Sequence, residues 1–94
     1  MTNYQSGARL ERLWMHQKKI AGYWVMRSAG SKGLIDCMAW NSEEIIMAQI
    51  KNGRQAYTQR DIDTLKSMAR PSHARVVLCE RVGANGIEWR EIEC

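Results

Sequence analysis

The sequence has few cysteines, and their spacing excludes two architectures that are common in small proteins. Its three cysteines, Cys37, Cys79 and Cys94, are odd in number and far apart along the chain. They form neither a disulfide framework nor the Cys-x-x-Cys pairs of a structural zinc site. We therefore expect reduced thiols in a cytoplasmic protein, with Cys37 and Cys79 buried in strands.

Long apolar segments are also absent. No window of about 18 residues is apolar and free of charge, so the sequence predicts no membrane-spanning helix. The opening residues MTNYQSGARLER lack the apolar region of a secretory signal. Internal repeats and low-complexity tracts are missing too. With a length of 94 residues, these absences favour one globular domain, residues 1–94.

Acidic residues are fewer than basic ones. The chain has 10 Asp and Glu against 14 Lys and Arg, which gives a formal net charge of +4. A positive excess suits a polyanionic partner such as nucleic acid, although a charge of this size is weak evidence alone. A chain this short buries a modest core, and association with a second copy is a common remedy.

Apolar periodicity predicts two helices and five strands. The first helix is expected at 6–22, with Ser6 as its cap and Gly22 at its end; the second is expected at 58–70. Thr58 and Asp61 predict a capping box, and Pro71 a stop. The strands are expected at 23–27, 34–40, 44–51, 74–81 and 87–93.

This order, α-β-β-β-α-β-β, indicates an α/β fold. The third strand, the second helix and the fourth strand make a βαβ unit, which is parallel and right-handed. The remaining connections are short, and Asn85–Gly86 is a strong hairpin turn signal. We therefore expect a mixed sheet flanked by helices.

The second and third strands place polar residues together. A hairpin turning near Ser42–Glu43 puts Asp36 opposite Gln49, and strand alternation puts Lys51 on the face of Gln49. Asp36 lies between Ile35 and Cys37, where a lone carboxylate is costly unless it is paired or bound to a metal.

This set of residues matches what phosphodiester hydrolysis requires. Mg²⁺ prefers oxygen ligands, which Asp36, the Gln49 side chain and the Ile50 carbonyl can supply. A bound metal lowers the pKa of water so that it attacks phosphorus, and the Lys51 ammonium can stabilise the developing charge. The strand pattern alone leaves a plainer alternative open, in which Asp36 is solvated and Gln49 and Lys51 lie on an exposed edge.

Four sequence features together resemble the archaeal-type Holliday junction resolvases, within the restriction-endonuclease-like nuclease superfamily. They are the helical GARLERL, the loop in GYWVMRSAGSKG, the aspartate of LID and the lysine of AQIK, and the resemblance covers about residues 6–70. It implies a restriction-endonuclease-like fold and a homodimer without membrane attachment. It also implies paired symmetric nicks in a four-way DNA junction with Mg²⁺, or Mn²⁺ as its substitute, in DNA recombination and repair.

The resemblance also implies roles for individual residues. Asp36 corresponds to the metal-binding aspartate, Lys51 to the catalytic lysine, and Glu11 to a glutamate that reaches the metal through water. Gln49 stands where the family has a second metal-binding glutamate. The residues that we expect at the DNA backbone are Arg12, Arg27, Ser31, Lys32 and Arg54.

Gln49 is the departure from the family pattern. An amide oxygen can bind a hard cation, but it brings no charge, and unit charges about 4 Å apart interact by roughly 4 kcal/mol at an effective dielectric of 20. We therefore expect an active site with a raised metal requirement. The Gln-x-Lys element is similar to that of Mrr-like restriction nucleases.

Two other functions stay open. One is a flap or junction nuclease of the virus-type replication-repair group, whose members usually carry Pro-Asp where this chain has Ile35 and Asp36. The other is a non-catalytic module that binds branched DNA, its site disabled by Gln49. The compact size would suit a virus- or phage-encoded protein that acts in the host cytoplasm.

Overall fold

The computed structural model describes residues 3–28, 34–53, 57–82 and 88–94, with side chains of the first helix from Ala8 onward. Within them the predicted order of elements is confirmed. The helices are α1 (Asn3–Ile20) and α2 (Gln59–Ser67). The strands are β1 (Trp24–Arg27), β2 (Cys37–Trp40), β3 (Ile45–Asn52), β4 (Ala74–Val82) and β5 (Glu88–Glu93).

The strands form a mixed sheet in the order β1-β2-β3-β4-β5. Every neighbouring pair is antiparallel except β3 and β4, which are parallel and joined through α2. The predicted βαβ unit and the predicted α/β fold class are therefore confirmed. The turn signal at Asn85–Gly86 lies outside the described residues.

Helix α1 ends as predicted but begins earlier. Gly22 has φ 96°, its N–H donates to Lys19 O at 3.0 Å, and the Tyr23 N–H donates to Lys18 O at 3.0 Å. These bonds form a Schellman motif, whose left-handed residue favours glycine. The helix starts at Asn3, so the prediction of Ser6 as its cap is wrong. The apolar stripe, from which we placed the start, has no member in the first turn.

Helix α2 has the predicted capping box, in which the Thr58 side chain accepts from the Asp61 N–H and Asp61 Oδ2 accepts from the Thr58 N–H. The helix ends at Ser67, three residues before the predicted end. Arg70 explains the early stop, because its guanidinium binds the carbonyls that a longer helix would use. It donates to Leu65 O at 2.6 Å and to Lys66 O at 3.1 Å.

The two helices pack on opposite faces of the sheet. Trp14 of α1 lies in one core cluster, and Leu65 of α2 lies in the other. Because side chains alternate along a strand, Ile46 and Ala48 of β3 face α1, whereas Met47 faces α2. Neither described helix is both long and apolar enough to cross a membrane.

The three thiols are expected to differ in reactivity. Cys37 and Cys79 are buried, and burial raises the pKa of each to about 12, whereas Cys94 is half-buried. Because the thiolate is the nucleophile, a disulfide reagent should modify Cys94 alone in the folded protein and all three cysteines in urea. Rapid modification of a Cys94→Ser variant under native conditions would contradict the buried placement of the other two.

Candidate active site

The β2–β3 hairpin has the predicted register until it reaches Asp36. Cys37 pairs with Ala48 and Trp40 with Ile45, which centres the turn near Ser42–Glu43 as expected. The Asp36 N–H, however, donates to Ala48 O at 2.8 Å. Two consecutive residues of the chain therefore face Ala48, which is the arrangement of a β-bulge. A bulge redirects a side chain, and here it redirects the Asp36 carboxylate.

The Asp36 carboxylate lies between the two strands. Its Oδ2 accepts from the Ile50 N–H at 2.8 Å, so a side chain takes the bond that the backbone of β2 would make in an unbroken ladder. Along a strand, the carbonyl of a residue points to the same side as its N–H. The Ile50 carbonyl is therefore directed towards the Asp36 side of β3, as the ligand hypothesis requires.

Gln49 and Lys51 lie on the α2 face of β3. Gln49 Nε2 donates to Leu34 O at 3.2 Å, and Gln49 Oε1 is buried with no hydrogen-bond partner within the described segments. Lys51 is half-buried. The Thr58 N–H lowers the pKa of Asp61, and the Lys51 charge lowers it further, which places this ammonium near the start of α2.

Glu11 approaches the same end of the sheet from α1. Its Oε1 lies 2.5 Å from Arg27 Nε, and the two side chains are 14% and 22% exposed. Arg27 is opposite Cys37 in the sheet, and the Cys37 Sγ is 3.9 Å from Glu11 O. The glutamate is therefore held by the arginine that neighbours Asp36, so one ion pair connects α1 to the candidate site.

A pocket of about 290 Å³ opens beside Asp36. Arg27 and Ser28 from the end of β1 line one side of it, and Ile35, Asp36 and Met38 line the other. Among the predicted DNA contacts, Arg27 is in this pocket and Arg12 is exposed on α1. Three others, Ser31, Lys32 and Arg54, lie outside the described residues.

The donor set fits a hard cation with few protein ligands. The described residues hold no group of three or more His, Cys, Asp or Glu side chains suited to a metal. Mg²⁺, however, is usually held by one or two carboxylates together with waters, and amide and carbonyl oxygens suit hard cations. Asp36, the Ile50 carbonyl and the buried Gln49 Oε1 match that requirement, and a cation would give this orphaned oxygen a partner.

One charged residue near the site was missed from the sequence. Glu80 of β4 is 0% exposed, pairs with Lys51 in the parallel ladder, and therefore shares the face of Lys51. Arg90 Nη1 lies 3.5 Å from its Oε1. An acidic residue at the end of the apolar run RVVLC was the available signal, because buried carboxylates are rare without a partner.

Comparison with known proteins shows a likeness of fold but no match of sequence. No protein-family profile matches the chain, and no curated protein sequence matches it. A solved structure that does match is Hjc of Archaeoglobus fulgidus, a Holliday junction resolvase from an archaeal hyperthermophile, with a TM-score of 0.71 and 22% sequence identity. The match covers 94% of this chain and 72% of that one. The chain therefore has the restriction-endonuclease-like α/β fold that its sequence predicts.

Proposed function

We propose that the protein is a metal-dependent, structure-specific DNA endonuclease that resolves four-way junctions by paired symmetric nicks. The observation that supports this most strongly is the β-bulge at Asp36. It places the Asp36 carboxylate beside a pocket and 2.8 Å from the N–H of Ile50, the neighbour of Gln49, whose amide oxygen is buried without a hydrogen-bond partner among the described residues. The fold match is to a Holliday junction resolvase, which supports branched DNA as the substrate.

Each site residue has a defined task in this proposal. Asp36, Gln49 Oε1 and the Ile50 carbonyl would hold Mg²⁺, or Mn²⁺ in its place. When bound, the metal supplies Lewis acidity and a water of lowered pKa. Lys51 stabilises the charge that develops on the phosphoryl oxygens. Arg27 binds the phosphate on the opposite side of the pocket, and Glu11 fixes the position of its guanidinium.

The preferred substrate is tested by offering the protein a four-way junction and a flap of the same sequence. We expect nicks at symmetry-related positions of the junction and little cutting of the flap. Preferential flap cutting would instead support the replication-repair alternative. Binding of the junction without cleavage in both Mg²⁺ and Mn²⁺ would contradict the enzymatic proposal.

Gln49→Glu is expected to lower the Mg²⁺ concentration for half-maximal cleavage by about tenfold or more. The change adds a second carboxylate to the proposed ligand set, and a gain of about 1.4 kcal/mol in metal binding corresponds to tenfold. Metal titrations of the cleavage rate measure the effect. Gln17→Glu, at an exposed glutamine of α1 that lines neither the pocket nor the start of α2, is the matched control. An unchanged Mg²⁺ midpoint in Gln49→Glu would contradict the assignment of Gln49 as a ligand.

The homodimer in this proposal has a candidate surface, the apolar face of β1 and β2. Trp24 is 72% exposed and pairs with Trp40 on the adjoining strand, and neither tryptophan lines the pocket beside Asp36. Helix α2 covers this face of the sheet over β4 rather than over β1. Exposed apolar groups that adjoin each other mark interaction sites. A second copy on this surface would supply the second active site that paired nicks require.

Trp24→Glu is expected to convert the dimer into a monomer, because it places a charge in the apolar surface. Sedimentation equilibrium measures the mass directly. Ile20→Glu, at the end of α1, introduces the same charge at an apolar residue of similar exposure (74%) and serves as the control. A Trp24→Glu variant that sediments with the wild-type mass would place any dimer contact elsewhere; Trp89 of β5 is the next candidate.

A further inference from the structure

Helix α1 carries a row of exposed basic side chains on its outer side. Arg9, Arg12, His16 and Lys19 are all exposed, and their spacing of three, four and three residues puts them on one stripe of the helix. The opposite side is buried through Leu10 and Trp14. The row therefore belongs to the solvent-facing surface, where it is available to a partner.

Three members of the row, Arg12, His16 and Lys19, lie on one wall of a groove beside the candidate active site, and Arg9 continues the row beyond it. The groove, of about 450 Å³, lies between α1 and β1, and is lined by Arg12, His16 and Lys19 on one side and by Arg27 on the other. Met26 and Arg27 also line the pocket beside Asp36. The two concavities therefore adjoin each other at these residues, so a chain bound at Asp36 can extend along α1.

The charges in the groove are of one sign. Glu11 is the one acidic residue in the sequence of α1, and its carboxylate is paired with Arg27. Lys18 does not belong to the row, because its Nζ lies 5.4 Å from the Trp14 ring centroid and 5.8 Å from that of Tyr23. The groove thus presents the Arg12 and Lys19 cations, and α1 has no carboxylate other than the paired Glu11.

We propose that the α1–β1 groove binds the sugar–phosphate backbone of a duplex DNA arm that leads away from the scissile phosphate. The proposal rests on the function proposed above. Arg9 and Lys19 are ten residues apart, which spans about 15 Å of helix. One DNA strand advances about 3.4 Å per nucleotide along the duplex axis and also winds around it, so the row is long enough to contact more than one phosphate. Cationic side chains that contact phosphates but no base edges bind DNA independently of its sequence.

If the groove binds DNA, its cations should affect both the salt dependence and the arm-length dependence of junction binding. Each phosphate contact that is lost reduces the slope of log K against log salt concentration by about 0.9. The contacts also exist only when a DNA arm is long enough to reach along α1. The affinity of the wild-type protein for a junction should therefore rise with arm length. Variants that lack Arg9 and Lys19 should show a smaller rise.

The test uses Lys19→Gln and the double variant Arg9→Gln/Lys19→Gln, whose side chains are exposed and outside the pocket. Binding to four-way junctions with stepwise shortened arms is measured across a salt series. On long arms we expect the slope to fall by about 0.9 for the single variant and about 1.8 for the double. On the shortest arms both variants should match the wild-type protein, and short-arm cleavage should keep its wild-type rate.

Lys66→Gln is the matched control, because it removes one exposed lysine from α2 instead. Its slope should stay at the wild-type value for every arm length. The proposal would be overturned if, on long arms, the double variant had the same salt slope as the wild-type protein. It would also be overturned if the double variant lost the same amount of slope on long and on short arms. A different result would contradict the nuclease function alone: wild-type protein whose junction binding depends on arm length in this way but which cuts no junction.

Discussion

Asp36→Asn is expected to reduce the rate of junction cleavage by about 10³-fold or more. Asparagine has nearly the same shape and can still accept the Ile50 N–H through its side-chain oxygen, so the β-bulge is retained. The substitution removes the one carboxylate among the proposed metal ligands. Metal ions contribute several kcal/mol to such reactions, and about 4 kcal/mol corresponds to 10³ in rate.

Affinity for the junction should change little in the same variant, because phosphate electrostatics dominate DNA binding and Asp36 contributes no cation. Single-turnover cleavage and equilibrium binding therefore separate the two roles. Asp63→Asn, an exposed aspartate on α2, receives the same chemical change and should cut at the wild-type rate. Cleavage by Asp36→Asn at the wild-type rate would remove Asp36 from the active site.

Lys51→Ala has the second largest expected effect, a loss of about 10²- to 10³-fold in cleavage rate at saturating metal. A preorganised cation at the phosphoryl oxygens acts where charge develops, and removing one such group typically has this magnitude. The half-buried position of Lys51, on the same face of β3 as Gln49, fits that task. Lys51→Arg should recover only part of the rate, because a planar guanidinium does not place its charge where an ammonium does.

Lys66→Ala is the control for Lys51→Ala, since it removes an exposed lysine from α2 and leaves the pocket unchanged. Its cleavage rate should equal that of the wild-type protein. A difference in metal dependence distinguishes the two site roles, because Lys51→Ala should keep the wild-type Mg²⁺ midpoint while Gln49→Glu lowers it. A Lys51→Ala variant with the wild-type cleavage rate would exclude a catalytic lysine at this position.

The register of the β2–β3 hairpin was predictable from the apolar pattern, except at Asp36. Apolar alternation and a short polar connection placed the turn near Ser42–Glu43, and the pairing of Cys37 with Ala48 confirms that register. The slip at Asp36 could not be predicted, because a bulge leaves no periodic signal in the apolar residues around it. The prediction that Asp36 lies opposite Gln49 is therefore wrong, because the bulge places Asp36 beside Cys37 opposite Ala48, and the position of its carboxylate between strands required the structure.

Other features depend on distant parts of the chain and have no local signal. Glu11 and Arg27 are 16 residues apart, and their ion pair exists because α1 packs across the start of the sheet. Arg70 ends α2 with its side chain and also donates to Cys94 O at 2.5 Å. Such contacts follow from tertiary packing. Local propensity therefore predicted the order of the helices and strands, but not the end of α2 or the pairing of Glu11 with Arg27.

The proposed function makes Asp36 part of a metal-dependent site that nicks four-way junctions in pairs. Its most direct test maps the nicks on a junction labelled in turn on each of its strands, with wild-type and Asp36→Asn proteins in Mg²⁺ and in Mn²⁺. We expect wild-type protein to nick two opposing strands at symmetry-related positions, and Asp36→Asn to bind equally well without cutting. Junction binding by wild-type protein with no nick on any strand in either metal would contradict this function.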